Sequence, residues 1–224
     1  MELLKVLQHS EIFKGIELNE IGQLLKRIQY QVKTYKKEEI IAFEGDCATH
    51  VAIVIQGEIA INKLYEDGKQ IHIKKMSSGN LIGFALVYSD QPTYANTLIS
   101  VGNTEVILIS HDDTRLLCDI NRRFLQNFLR LISNQVVYLS ERITLVNFST
   151  IRKKIINFIL KLHKQQNSGM IQLGMTRKKM AESLGVSRPA LSHEMMHMKK
   201  DGLIDYVNQS IEILDYQGLL DMLN

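Results

Sequence analysis

Three residues on one short stretch have types and spacing that could do chemistry. His193, Glu194 and His197 spell H-E-x-x-H. On a helix this pattern puts two imidazoles one turn apart to hold zinc, and the glutamate activates a water. A catalytic zinc of this kind needs a third protein ligand. The nearby downstream carboxylates are Asp201, Asp205, Glu212 and Asp215, and Glu212 sits in an alternating Ile-Glu-Ile pattern that predicts a strand. The motif lacks its confirming surroundings, so a zinc metallopeptidase is kept only as the alternative reading. No metal and no catalytic residue is expected.

The elements around the motif point elsewhere. In Thr176–Lys200 the apolar Met180 and Leu184, with Ala181 beside them, precede Gly185, a residue that accepts the left-handed backbone of a tight turn. Val186 then points inward. Ser187 is placed as an N-cap, with Pro189 in the first turn of a second helix. On that helix Leu191, Met195 and Met198 share one face, while Arg188, Pro189, Ser192, His193 and Met196 fall broadly on the other. Two short helices joined by a glycine turn, the second with an exposed polar face, predict a helix-turn-helix that reads DNA.

Charge agrees with that reading. The net charge of +3 is mild, but residues 148–224 hold 11 Lys+Arg against 7 Asp+Glu, and residues 1–147 hold 16 against 17. The basic excess lies with the expected DNA reader, as phosphate contacts require. No run of eighteen apolar residues occurs and the first ten residues lack a signal-peptide layout, so a cytoplasmic location and no membrane contact are expected. Cys47 and Cys118 show no C-x-x-C spacing and are too few for an iron–sulfur cluster. His72 in its Ile-His-Ile strand is read as a surface residue, not a haem ligand. Cysteine and histidine placement thus predict no cofactor.

Upstream, residues 1–36 predict a helical lead-in, with Leu3, Leu4 and Leu7 on one face and Ile21, Leu24, Leu25 and Ile28 on another. From Glu39 to His111 short β-branched runs (51–55, 59–61, 71–73, 98–101, 106–109) alternate with breaks at Gly45, Gly57, Gly68, Gly79 and Gly83. Asp67-Gly68 is a hairpin-turn signal. This texture predicts a compact antiparallel barrel or roll. A helix is predicted from about Asp112 to Asn147. Its Leu125, Leu129, Ile132, Val136, Leu139, Ile143 and Val146 are spaced 4, 3, 4, 3, 4, 3, a heptad seam suited to a parallel two-stranded coil. Phe124, Phe128 and Leu131 form an offset second stripe. Two apolar stripes need two partners, so one is expected to pack on the chain's own roll and the other in a homodimer. Asn147–Thr150 breaks the pattern, and Ser149 is placed to cap the next helix (Ile151, Ile155, Phe158, Ile159, Leu162). Leu203–Val207 and Ser210–Leu214, around Asn208-Gln209, predict a two-stranded wing.

Roll, long helix, hinge, helix-turn-helix and wing, in that order over nearly the whole chain, resemble the Crp/Fnr superfamily of bacterial transcription regulators. The likeness rests on the glycine ladder, with spacings of 12, 11, 11 and 4, and on the stretch MAESLGVSRPALSHEMMHMKKDGLI. It implies an α+β chain with three parts. These are a cyclic-nucleotide-binding-like effector roll over residues 1–111, a dimerisation helix over 112–147 and a winged helix-turn-helix over 148–224. It further implies a non-enzymatic homodimer on a two-fold-related DNA operator, with RNA polymerase as a further partner. The base-reading positions fall on Arg188, Pro189, Ser192 and His193, with Ser187 and Arg188 also at phosphates. Thr176 and Arg177 complete the expected DNA-binding set.

The effector segment departs from the pattern. Members that bind cyclic AMP carry a Glu after the cassette glycine and an Arg about eleven residues on. Here Phe84 follows Gly83, Tyr94 stands near the Arg position, and nothing in Gly83–Thr97 is cationic. A cyclic phosphate buried without a partner charge is strongly disfavoured. The expectation is therefore no response to cyclic nucleotides, and an effector that is a different small molecule or absent. The candidate pocket residues are Gly83, Phe84, Ala85, Tyr88, Tyr94 and Ala95. His193 stands where many relatives have Arg, which weakens the expected guanine contact.

Overall fold

The computed structural model describes residues 2–65, 67 and 69–223, with Glu141 and residues 144–147 described by their backbone alone. The chain divides into two compact units, Met1–Val136 and Val137–Asn224. The first opens with α1 (Glu2–His9) and α2 (Leu18–Leu25), joined through a 3-10 turn at Glu11–Phe13. Eight strands follow: β1 (Tyr30–Tyr35), β2 (Ile40–Ala42), β3 (His50–Gln56), β4 (Glu58–Leu64), β5 (Gln70–Ser77), β6 (Leu81–Ile82), β7 (Thr97–Ser100) and β8 (Thr104–Ser110). They form two four-stranded antiparallel sheets, ordered β1-β8-β3-β6 and β2-β7-β4-β5. The predicted roll is present. The Asp67-Gly68 turn signal falls at Gly68, outside the described residues.

The pleat of β3 shows how the roll is held. Val51, Ile53 and Ile55 alternate with Ala52 and Val54, and all five are buried. The first set joins Leu7, Ile12, Phe13, Leu24, Leu117 and Phe124 in a core beneath the helices. The second joins Ile59, Met76, Ile82, Leu98 and Val106 in the interior of the roll. A strand buried on both faces reads as a continuous apolar run, as this one does.

Three elements differ from expectation. Residues 30–35 are a strand, not part of the helical lead-in: the sequence Y-Q-V-K-T-Y lies at the sheet edge with five of six residues exposed, so no buried face marks it. The predicted single helix from Asp112 is two, α3 (His111–Ile120) and α4 (Arg122–Asn147). Asn121 takes an extended backbone (φ −136°, ψ 107°), its Oδ1 accepts the Phe124 N–H at 2.8 Å, and its Nδ2 donates to Glu20 at 2.7 Å. An asparagine that caps the following turn ends one helix and starts another. The cap of α5 (Ile151–Gln166) is Thr150 and not Ser149, its Oγ1 accepting the Lys153 N–H at 3.2 Å.

On α4, Phe124 and Phe128 are buried and Leu131 packs against the same core, so the second stripe covers the chain's own roll. Of the heptad seam, Leu125, Leu129, Val136, Leu139 and Ile143 are exposed, the last by 63%. Ile132 is half-buried against the unit's own core, and the side chain of Val146 lies outside the described residues.

The second unit continues through β9 (Met170–Gln172), α6 (Arg177–Leu184), α7 (Arg188–Lys200), β10 (Ile204–Val207), β11 (Ser210–Ile213) and α8 (Tyr216–Asp221). The wing has three strands, ordered β10-β11-β9, where two were predicted. Ile155, Ile159, Met180, Leu184, Leu191, Met195 and Met198 form its core.

Candidate nucleic-acid interface

Each helix of the pair is set by its own neighbours. Thr176 caps α6, its Oγ1 accepting the Lys179 N–H at 3.3 Å. At the other end Gly185 has φ +65°. The Val186 N–H reaches the Ala181 carbonyl at 3.0 Å, and that of Gly185 reaches the Glu182 carbonyl at 3.2 Å. This pair of bonds around a left-handed residue is the Schellman stop, which a glycine makes without steric cost. Ser187 follows at once as the cap of α7, accepting the Ala190 N–H at 3.3 Å, with Pro189 in the first turn.

The burial pattern of α7 separates its two faces. Leu191, Met195 and Met198 are fully buried, whereas Ser187, Arg188, Pro189, Ser192, His193, Met196 and His197 are exposed. Every base-reading candidate on α7 therefore stands on its solvent face. Arg177 is different. Its guanidinium lies 4.5 Å from the centre of the Tyr206 ring and contacts the Met195 sulfur, and burial holds its pKa below the usual arginine value. It remains charged, as arginines do, but its side chain packs α6 onto the wing. Lys178, Lys179, Arg188 and Lys200 are exposed and have no acidic partner among the described residues. The three lysines were not singled out from sequence, where any surface lysine reads alike.

The H-E-x-x-H motif resolves in the same geometry. Arg152 of α5 places Nε 2.6 Å from Glu194 Oε1 and one terminal nitrogen 2.6 Å from Asp201 Oδ2. The glutamate that zinc chemistry would need free is thus half of a charge-assisted clamp that fixes α7 at its middle and its C-terminal end. These two bonds hold the Arg152 pKa above its ordinary value, the Glu194 bond contributing most. The His193 and His197 rings lie 4.3 Å apart, and no group of three metal-ligating side chains gathers among the described residues. The metallopeptidase alternative is without support. Arg152 stands 42 residues from Glu194, a pairing no local spacing reveals.

In the roll, a cavity of about 330 Å³ is lined by Gly83, Phe84, Ala85, Tyr94 and Ala95, with Ile61, Lys74, Met76, Asn96, Leu98 and Gln135 among the other walls. Gly83 has φ +79°, and a Cβ there would meet the His50 carbonyl at 2.7 Å, so the chain can turn into the cavity only at glycine. Tyr88 stands apart. Its ring packs on His111 and Phe128 and its hydroxyl donates to the His111 carbonyl at 3.2 Å, so it belongs to the seam of α3 and α4. Burial, with the nearby Cys118, pushes its pKa up to about 12. The cavity is not without a cation: Lys74 reaches it from β5, across the sheet from the segment that carries none. His72 is occupied, with Nδ1 3.0 Å from Asn62 Oδ1.

Comparison with known proteins follows the same division. A family model described as a cyclic nucleotide-binding domain matches residues 32–121, and one described as a Crp-like helix-turn-helix domain matches residues 153–222. The chain is 24% identical to an anaerobic regulatory protein of Haemophilus influenzae over 92% of this chain and 80% of the relative. It is 22% identical to a CRP-like cAMP-activated global transcriptional regulator of Mycobacterium tuberculosis, over 96% and 97% of the two chains. The catabolite activator protein of Thermus thermophilus shares its fold, with a TM-score of 0.56, 19% identity and coverage of 96% and 98%. A cyclic-nucleotide-binding-type roll followed by a Crp-like helix-turn-helix with its recognition face open makes this chain a member of the Crp/Fnr family of transcription regulators.

Proposed function

We propose that the protein is a cytoplasmic homodimer that reads a two-fold-related DNA site with one α7 per half-site. In this reading residues 1–111 are the effector roll, 112–147 the dimer helix and 148–224 the DNA reader. The observation that carries it is the clean division of α7, with three side chains fully buried and eight exposed behind a capped N-terminus. Arg188, Ser192 and His193 then face base edges, while Ser187 and the N–H groups of the first turn face phosphate. The exposed seam of Leu125, Leu129, Val136, Leu139 and Ile143 supports a second copy of α4 as its cover. RNA polymerase is the further partner that a regulator of this kind implies.

The effector reading is that cyclic AMP is not the signal. Phe84 and Tyr94 replace the carboxylate and guanidinium that hold ribose and phosphate, and the cavity beside them is largely apolar. A small, more apolar molecule fits those walls better than an anion with only Lys74 to meet it.

Selection of bound duplexes from a random pool, with and without a chelator, tests the reading. Enrichment of a near-palindromic site with half-sites about one helical turn apart, unchanged by chelator and by cyclic AMP, is the expected result. Enrichment that vanishes with chelator, or appears only with cyclic AMP, overturns it. On the selected site Arg188→Ala should weaken binding about tenfold or more. Leu129→Glu with Ile143→Glu should give a monomer by light scattering.

A further inference from the structure

A second cavity, of about 230 Å³, opens inside the roll. Ile82, Tyr94 and Leu98 line both cavities, so three side chains form a shared wall. The floor of the second is apolar, built by the buried Ala52, Ile59 and Val106. Its polar lining comes from Asp46 and Thr49 in the loop before β3 and from His50, the first residue of that strand. Lys33 and Asp46 are exposed and opposite in sign, and Asp46 Oδ2 already accepts the Phe43 N–H at 2.7 Å, so the lining offers little net charge to an ion.

Two groups on the wall are without partners. Among the described residues neither the Tyr35 hydroxyl nor the Tyr94 hydroxyl makes a hydrogen bond. Burial raises the pKa of both phenols, with Glu39 adding to the effect at Tyr35 and Tyr35 itself at Tyr94. Both therefore stay protonated as donors through the neutral range. Neither hydroxyl is a buried atom left unsatisfied, so a ligand's polar group there takes the place of solvent while its ring covers the apolar floor. An apolar cavity of about 150 Å³ accepts a benzene ring, so one of this size has room for a ring and one substituent.

We propose that this second cavity binds a small uncharged ring molecule with a single hydrogen-bonding group, its ring on the apolar floor and its polar group on the Tyr35 and Tyr94 hydroxyls. The site is separate from the effector cavity and needs neither DNA nor a dimer.

The probe is 4-methylphenol, titrated into the ¹⁵N-labelled full chain and followed by amide shifts. Saturable shifts centred on β1, β2 and the 46–50 loop are expected. Ala52→Leu and Ala42→Leu each narrow only this cavity and should weaken binding at least tenfold. Tyr94→Phe should weaken it about three- to tenfold. Ala95→Phe narrows only the other cavity and should change binding less than twofold. No saturable shift overturns the proposal. So does binding that survives both Leu substitutions and disappears with Ala95→Phe. Should Ala52→Leu fail to fold, Ala42→Leu at the half-buried β2 decides alone.

Discussion

The two units are held by contacts of very different reach. In the DNA-reading unit the decisive bonds are short in sequence: Thr176 to Lys179, Gly185 to Glu182, Ser187 to Ala190. In the roll they are long: Tyr30–Tyr35 pair with Thr104–Ile109, and the buried Asn127 side chain donates to the carbonyls of Ile12 and Lys14. Breaking one contact of short reach removes about one local contribution. A unit assembled from distant pairings fails as a whole, since each pairing depends on the others for its loop-closure entropy.

The strongest test removes a shared anchor of the roll. Phe124 is buried edge-on against Phe13, with ring centres 5.2 Å apart. Phe124→Ala should cost about 3–5 kcal/mol, much of the stability of a typical domain. Calorimetry should show the roll's transition falling by many degrees while that of the DNA-reading unit stays in place. If both fell together, the contrast between the units would be wrong.

A smaller effect is expected at Arg152, which makes one of the long-range contacts of the second unit. Arg152→Ala leaves Glu194 and Asp201 without their shared cation and should cost about 1–3 kcal/mol. Glu194→Gln should cost less in that background than in the native chain, which a double-mutant cycle on thermal stability would measure. Thr176→Ala and Ser187→Ala should each cost only about 1 kcal/mol, and their effects should add if the caps act independently.

Opposite ends of the pH scale give the finest separation. Burial, with a smaller contribution from Asp119, raises the Cys118 pKa from 9.0 to about 11. The unfolded chain loses this proton first, so the roll's stability is intact below pH 9 and declines as pH rises towards 11. Asp205 moves the other way, lowered chiefly by its hydrogen bond from Lys199 and then by that from the Tyr206 N–H. Its contribution is present above pH 3.8 and is lost as pH falls through its folded value. Melting curves at pH 7, 10 and 3 should therefore show the roll weakening in alkali and the wing slightly in acid. Equal sensitivity of both units at pH 10 would remove this distinction.

Legibility in the sequence follows the same reach. Met180, Leu184, Gly185, Ser187, Pro189, Leu191, Met195 and Met198 all act as their spacing predicts, because caps, turns and helix faces depend on residues within one or two turns. β1 was not legible, since five of its six residues are exposed and its clearest signature is its pairing with β8. β2, β6 and β9 are two or three residues long, too short for periodicity to register. Asn121 interrupts an otherwise helical pattern by capping the next helix, and one asparagine does not mark a break unless its partners are known. At the candidate sites, five of the six expected cavity residues do line one cavity. Tyr88 points elsewhere because His111 and Phe128, distant in sequence, offer its ring a place. Lys74 and Arg152 escaped notice because each reaches its site from a different element.

The bonds from Asn127 to Ile12 and Lys14 span 115 and 113 residues. On a ribosome adding about 5–20 residues per second, that separation corresponds to roughly 6–23 s of synthesis. Through that interval α1 and α2 have emerged while Phe124 and Phe128, which complete the core beneath them, have not been made. Leu7, Ile12 and Phe13 must wait in water or against a chaperone, so early aggregation should concentrate around these residues. The helix-turn-helix, made after the roll, finds its capping partners within a few residues of their synthesis.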